Sequence, residues 1–316
     1  MTDDKNQLWQ CVLITGGAGF IGSNLAMEIQ NRRPESHIAV MDDFRSGNFE
    51  NLRGFKGDIM AMDAAAADIE EILSEWPPTL VFHLASITNT TVTDQELMVH
   101  DNVEGFRRVM DFCIAGNIPL VYASSAATYG IAEGRMSEDT PPAPANIYAF
   151  SKMIFDNLAR EAMAEYPEWH IVGLKYFNVY GPNEAHKQIA SSMIYHLSQQ
   201  IKAGKRPRVF KHGEQKRDFV YVKDVVEATL LAAGCGQSGI YNVGTGKARS
   251  FNELIRILND VLGTDYQPEY FDCPYPFYQP FTEADLTRTG KALGYEPKYS
   301  LEDGVRDYMQ LLYAEV

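Results

Sequence analysis

The sequence has no CxxC pair, and its four cysteines, Cys11, Cys113, Cys235 and Cys273, lie far apart. That spacing argues against a zinc site and against a disulfide framework, so buried thiols in a reducing compartment and no metal centre are expected. No apolar run approaches the roughly 18 residues that suggest a membrane span. Residues 1–10 are polar and acidic, unlike the basic and apolar start of a secretory signal. A soluble, cytoplasmic protein is expected. Net positive charge is missing too, since the formal charge is −14. This disfavours nucleic acid and anionic membranes as partners, because both select a basic surface.

The chain has 316 residues, of which 45% are hydrophobic, enough for a large core in one large domain or two coupled ones. Its charge is uneven. Between positions 185 and 217 stand Lys187, Lys202, Lys205, Arg206, Arg208, Lys211, Lys216 and Arg217 against a single acid, Glu214. A local basic zone on an acidic protein suits a small anionic ligand better than a polyanion.

Cys11 to Thr15 is a short apolar run that leads directly into Gly16-Gly17-Ala18-Gly19-Phe20-Ile21-Gly22, followed by a helical pattern from Ser23 to Arg32. Gly16, Gly19 and Gly22 form GxxGxxG between a strand and a helix. Missing side chains let the backbone approach a pyrophosphate, and the helix start, with Phe20 and Ile21, faces the phosphates. A second strand, His37 to Met41, ends at Asp42, twenty residues after Gly22, where a carboxylate can bond the ribose of a dinucleotide. Asp42, with Asp43 beside it, favours NAD, whereas Arg45 or Lys56 could receive the 2′-phosphate of NADP. Gly57-Asp58-Ile59 reads as the close of a third strand, with the carboxylate at the adenine amino group. Thr79 to His83 is a fourth strand, nearly all apolar as in parallel sheets buried on both faces. Its His83 reads as a packing residue, and Leu84-Ala85-Ser86 follows beneath the cofactor. Asp94 to Ala115 reads as a long helix of ragged periodicity with Asn102 inside it.

Pro119 to Ser124 is a fifth strand that runs into Ser125, and ligands sit at the ends of such strands. A serine there bonds a reacting hydroxyl or caps the next turn. A loop rich in proline and alanine, 137–146, ends in Asn146 as a helix cap. Tyr148 and Lys152 then stand four residues apart. On a helix they share a face, so the Lys152 ammonium can favour the ionised phenol. A free phenol titrates near 10, and acid/base work at neutral pH requires something to lower it.

With GGAGFIG, Asp42, SSAATYG and YAFSK in this order, the first half resembles the extended short-chain dehydrogenase/reductases. The resemblance implies an α/β fold, a Rossmann-type doubly wound parallel sheet with a smaller discontinuous C-terminal substrate domain. It also implies one tightly bound NADP or NAD per subunit and a catalytic unit of Ser125, Tyr148 and Lys152. Sugar 4,6-dehydratases of the family carry an Asp-Glu pair after the serine, where this sequence has Ala126 and Ala127. After a sixth strand, Val172 to Phe177, the segment Asn178 to Lys187 resembles FNVYGPxExHK of the ADP-L-glycero-D-manno-heptose 6-epimerases. Lys216 to Val222, Gly239 to Gly246 and Gln279 to Leu286 extend the likeness over nearly the whole chain. By this resemblance Lys187 is a second acid/base facing Tyr148, and Val179 lies beside the cofactor. Asn178, His196, Phe210, Lys211, His212, Gly213, Arg217 and Tyr278 surround an ADP-sugar, with Arg217 gripping the diphosphate. Two departures stand out. Gln188-Ile189 follows Lys187 where small polar residues are common, and the segment before Arg217 is one residue short.

The expected domains are residues 1–178 with 219–244 for NAD(P), and 179–218 with 245–316 for the nucleotide sugar. Ser250 to Leu262 and Ser300 to Leu312 read as amphipathic helices of the second, and 264–281 as a loop over the site. The expected activity is conversion of ADP-D-glycero-D-manno-heptose to its L-glycero epimer by transient oxidation at C6″, in lipopolysaccharide core precursor synthesis. A homo-oligomer, a pentamer by resemblance, is expected. One rival is another nucleotide-sugar 4-epimerase or a dehydrogenase, the latter betrayed by net release of NAD(P)H. The other is a non-catalytic NAD(P)-binding regulator, against which the intact Ser125, Tyr148 and Lys152 set argues.

Overall fold

The computed structural model describes residues 7–65, 69–74, 77–90, 92–132, 134–272 and 279–314. In chain order its strands are β1 (Cys11–Thr15), β2 (His37–Asp42), β3 (Asp58–Ala61), β4 (Leu80–His83), β5 (Leu120–Ser125), β6 (Ile171–Tyr176), β7 (Asn178–Tyr180), β8 (Arg208–Phe210), β9 (Lys216–Tyr221), β10 (Gly239–Val243), β11 (Ala248–Ser250) and β12 (Glu269–Phe271). Among the described residues, β1 to β6 and β10 form one parallel sheet in the order β10-β6-β5-β4-β1-β2-β3. Every residue of β1, β4 and β6 is buried, which explains why these strands read as unbroken apolar runs. The strand order reverses between β1 and β4, so a crevice opens at their carboxyl ends.

One face of the sheet is covered by the helices Phe20–Arg32 and Val222–Ala233, whose Leu25, Ile29, Val225 and Ala228 join Val12, Ile14 and Val40. The other face is covered by residues 95–115 and the helix Ile147–Glu165. There Phe106 and Phe155 stack with ring centroids 4.3 Å apart. The ragged spacing noted before Ala115 has a physical cause. Gln95–Met98 and Gly105–Ala115 are α-helical, but Val99–Glu104 between them is a π-helix, and its wider turn carries Asn102 inward.

The third strand departs from the sequence reading, since β3 opens at Asp58, where the reading had it close. Asp58 pairs with Ala39 and Ala61 with Asp42. Gly57 lies so close to the Ile38 carbonyl that a Cβ on it would come within 2.1 Å, and the chain joins the sheet from that point.

Outside the large sheet, β9 is flanked by parallel β7 and antiparallel β11, and β8 pairs with β12. The helix Phe251–Leu262 starts in a capping box of Ser250 and Glu253 and stops at left-handed Gly263, a local geometry that serine and glycine favour at those places. Ser300 caps the last helix, Leu301–Tyr313. Cys11 and Cys113 are buried and Cys235 is half-buried; Cys273 lies outside the described residues. Among the described residues no cluster of His, Cys, Asp or Glu could hold a metal ion, and no helix is long and apolar enough to cross a membrane.

Candidate active site

A cavity of about 1090 Å³ lies at the carboxyl ends of β1, β2, β4 and β5 and is closed from the other side by β8, β9 and the segment 186–193. Gly16 has φ +70°, and a Cβ on it would stand 2.5 Å from the Ala85 nitrogen. A Cβ on Gly22 would stand 2.2 Å from the Gly16 carbonyl oxygen. Only glycine fits this turn. The helix that follows begins at Gly19 with no side-chain cap and no acid in its first turn, leaving amides directed at an anion. Asp42 is buried; its Oδ2 accepts from the Ala18 amide and its Oδ1 from the Phe44 amide, both at 2.9 Å. Burial raises its pKa, and those amides hold it down. The carboxylate thereby fastens the end of β2 to the glycine turn. With Gly19, Phe20, Ile21, Leu84, Ala85, Ser86 and Val179 also on the wall, the residues present fit a dinucleotide.

Three expectations at this end change. Arg45 is held by three carboxylates, Asp43 and Asp101 at 2.5 Å and Asp63 at 3.0 Å, so its guanidinium is neutralised several times over. Lys56 is not on the cavity wall. Asp58 and Ile59 do not reach the cavity either, because the later start of β3 puts Asp58 upstream of the strand end, bonded to His37 Nε2 at 2.6 Å. Asp63 and Ala64 stand at the strand end in their place. Asn102 lines the cavity, but its amide is taken by the Ile87 backbone on both sides (2.8 and 3.2 Å) and by Ser151 Oγ at 3.0 Å. It acts on the site by holding the strand-end loop.

Ser125 ends β5, and its Oγ accepts from the Ala127 amide at 3.1 Å. Asn146 caps the helix Ile147–Glu165, accepting from the Ala149 amide at 2.8 Å, and so sets Tyr148 in the first turn. Tyr148 shares the cavity wall with Ser125. Burial raises the Tyr148 pKa, and the Ser125 side chain holds it down. Lys152 is 2% exposed. Its Nζ donates to the Ala123 carbonyl at 2.9 Å and lies 4.2 Å from the Phe155 ring centre. Burial draws the Lys152 pKa down to about 7, with Asp156 pushing it back up. The influence that opposes burial at Tyr148 comes from Ser125, where the sequence reading expected it from Lys152. The reason is that Lys152 faces a backbone carbonyl and is itself hard to charge where it is buried. His83 is buried at the end of β4, with Nδ1 2.9 Å from Thr15 Oγ1 and Phe106 and Phe155 around it.

The opposite wall hangs on Glu184. This buried carboxylate accepts from the Gly181 amide (3.1 Å), the Ser192 amide (2.5 Å) and the Ser192 hydroxyl (2.8 Å), and so ties off the loop that carries Lys187. Lys187 lines the cavity and lies 5.5 Å from the Phe20 ring centre. Burial lowers its pKa, and Glu184 partly restores it. Arg217 is buried and lines the cavity, as do Asn178 and Phe210. Asp218 locks β9 in place by accepting from the Thr245 amide and hydroxyl (2.7 and 2.6 Å), the Gly246 amide (2.9 Å) and the Ala284 amide (3.0 Å).

Other expected substrate contacts are not brought there. His196 is not on the wall; its Nε2 meets the Ile189 carbonyl at 3.3 Å. His212 is exposed and stands 5.6 Å from the Tyr270 ring, while Gly213 backs onto Asn252. The Lys211 side chain and Tyr278 lie outside the described residues. Asp63, Asp101 and Gln215 are on the wall without having been foreseen. They were missed because their meaning depends on contacts across long stretches of chain.

Known proteins share this fold. The model of the NAD dependent epimerase/dehydratase family matches residues 12–244. The ADP-L-glycero-D-manno-heptose-6-epimerase of Helicobacter pylori is 37% identical over 98% of each chain, with a TM-score of 0.90. The Thermotoga maritima UDP-glucose 4-epimerase, solved with UDP-glucose, is 28% identical over 96% of this chain and 99% of its own, with a TM-score of 0.88. The UDP-glucose 4-epimerase of Thermus thermophilus, solved with NAD, is 28% identical over 97% of this chain and 100% of its own, with a TM-score of 0.84. With its glycine turn, its reversal of strand order and its Ser125, Tyr148 and Lys152 in one cavity, the chain belongs to the NAD dependent epimerase/dehydratase family, as an enzyme that uses a nicotinamide dinucleotide.

Proposed function

We propose that the protein inverts C6″ of ADP-D-glycero-D-manno-heptose, reversibly and without net consumption of cofactor, on the way to a lipopolysaccharide core. The observation that carries this reading is Lys187, a buried amine of lowered pKa that shares the cavity with Tyr148 but comes from another wall. Inversion by oxidation, reorientation of the ketone and re-reduction benefits from a proton carrier on each side of the carbon. A nicotinamide dinucleotide, held by the glycine turn and Asp42, would supply the hydride chemistry at that carbon. Tyr148 takes the hydroxyl proton at its phenolate oxygen as the carbonyl forms, and Ser125, whose side chain opposes the effect of burial on that phenol, favours the ionised form and orients the reacting oxygen. Lys152 orders the strand end and reaches toward the ribose. Lys187 returns a proton from the far side, and Arg217 holds the diphosphate by paired hydrogen bonds. Ala126 and Ala127 offer no acid or base, so loss of water is not served.

The 37% identity with the Helicobacter pylori enzyme supports the heptose substrate. The likeness to two UDP-glucose 4-epimerases supports a second reading, inversion at C4 of a UDP-sugar. A homo-oligomer, a cytoplasmic setting and the division at residues 178, 218 and 244 belong to the same proposal. Incubation with ADP-D-glycero-D-manno-heptose in deuterated water, followed at C6″ by NMR, tests it. Inversion without deuterium on that carbon is expected. No inversion would sink the heptose reading, and turnover of UDP-glucose in its place would select the 4-epimerase.

A further inference from the structure

β9 and the residue before it alternate in direction, as extended chain must. Gln215, Arg217 and Phe219 line the cavity, while Asp218 faces away to its cluster of amides. Gln215 differs from its neighbours in one respect. It is 5% exposed, and among the described residues neither its Nε2 nor its Oε1 has a hydrogen-bond partner. Its backbone is fixed, since its carbonyl accepts from the Phe251 amide at 3.3 Å. A buried amide left without partners costs on the order of 1 to 3 kcal/mol per group, and folded proteins keep few of them. An amide on a cavity wall whose two ends are sealed from solvent and vacant is explained when a ligand, met by a turn of the side chain, completes it.

The surroundings indicate which part of a ligand. Arg217 stands two residues along the same face, roughly 7 Å away at the rise of a strand. That is about the distance from a phosphate to the base of the same nucleotide. Phe210 and Phe271, edge to face with centroids 5.6 Å apart, and Phe251 provide apolar walls beside it. Taken with the nucleotide-sugar reading, on which this step rests, we infer that Gln215 reads the nucleobase of the substrate. Its carbonyl and amino groups pair with an adjacent donor and acceptor on the base edge. Adenine, with an amino group beside a ring nitrogen, suits a glutamine in this way.

The test is calorimetric titration of the cofactor-loaded protein with ADP and with UDP, comparing wild type and Gln215→Met, which keeps length and volume but removes both polar ends. The substitution is expected to weaken ADP binding roughly 10- to 100-fold and to bring the ADP to UDP affinity ratio toward one. NAD affinity should not change, and Tm should hold or rise, because an amide without partners has been removed. A glutamine needed only for folding would instead lower Tm and leave the affinity ratio intact, which would overturn the inference. Wild-type binding of ADP with no change in the variant would overturn it too, leaving the nucleotide-sugar reading standing. Binding of neither nucleotide by wild type would overturn both. Tighter UDP binding, weakened by the substitution, would uphold the role of Gln215 and reject adenine.

Discussion

Behind the reactive residues lies a buried ion pair whose removal should separate charge from packing. Asp156 is 1% and Lys175 3% exposed, with Nζ 2.5 Å from Asp156 Oδ2. Lys175 also donates to Thr128 Oγ1 at 2.5 Å, and the Tyr122 hydroxyl donates to Asp156 at 3.1 Å. The pair therefore joins the helix of Tyr148 and Lys152 to the turn that follows Ser125. Taking away one partner leaves an uncompensated buried charge, at a cost of about 3 to 5 kcal/mol. For 316 residues, an unfolding entropy of about 2.1 cal/mol/K per residue gives roughly 0.66 kcal/mol/K, so each of Asp156→Asn and Lys175→Met should lower Tm by about 5 to 8 °C. The double variant keeps an acceptor for Tyr122 and leaves neither charge of this pair uncompensated, so it should fall within about 3 °C of wild type. Thermal unfolding of the four proteins, followed by circular dichroism at one fixed NAD concentration, completes the cycle. A double variant that loses the sum of the two single losses would refute the idea that the cost is electrostatic.

Lys187→Met should keep NAD bound, as judged by cofactor fluorescence, and slow inversion by about 10² to 10⁴, the usual loss of an acid/base group; near-normal turnover would remove Lys187 from the mechanism. Lys152 titrates near 7 when folded and near 10.5 when not, so the unfolded chain binds more protons between those values and stability rises with pH, by at most about 1.4 kcal/mol per unit. Urea midpoints of cofactor-free protein at pH 7.5 and 9 should show this rise, and Lys152→Met should flatten it; equal slopes in the two proteins would contradict the assignment. Replacing Asp63 and Asp101 by asparagine frees Arg45 from two of its three carboxylates, so the NADP to NAD affinity ratio should increase roughly tenfold. An unchanged ratio from direct binding measurements would mean that Arg45 does not face the ribose.

The dinucleotide half was legible because its chemistry depends on features that sequence spacing encodes. A glycine turn needs glycines where a Cβ would strike backbone, as at Gly16 and Gly22, and a phenol and an amine four residues apart share a helix face wherever the helix lies. What failed there failed by register. Asp58 and Asp63 are both aspartates near one short strand, and nothing local said that β3 would open at Asp58, just after Gly57, and so deliver Asp63 to the cavity. The π-helix Val99–Glu104 was visible only as broken periodicity around Asn102. The substrate half was less legible, because its wall is assembled from β8, β9, β12 and the loop tied by Glu184. Gln215 carried no mark in sequence, since its interest lies in partners it does not have.

The two halves also resolve the contradiction between an acidic protein and anionic ligands. Asp42, Asp43, Asp63 and Asp101 gather at the glycine-turn end of the cavity, whereas Lys187, Arg208 and Arg217 come from the basic stretch at the other. A dinucleotide and a nucleotide sugar each carry a pyrophosphate, so charge attraction alone would not sort them. The acidic end leaves the first pyrophosphate to neutral backbone amides and a helix start, and its carboxylates suit ribose hydroxyls. The basic end can grip the second with fixed positive charge. Each ligand is then disfavoured at the other's place, the dinucleotide by lacking its amide cradle and the nucleotide sugar by meeting carboxylates. On the proposed function, that polarity leaves the sugar between Tyr148 and Lys187, where the two walls meet.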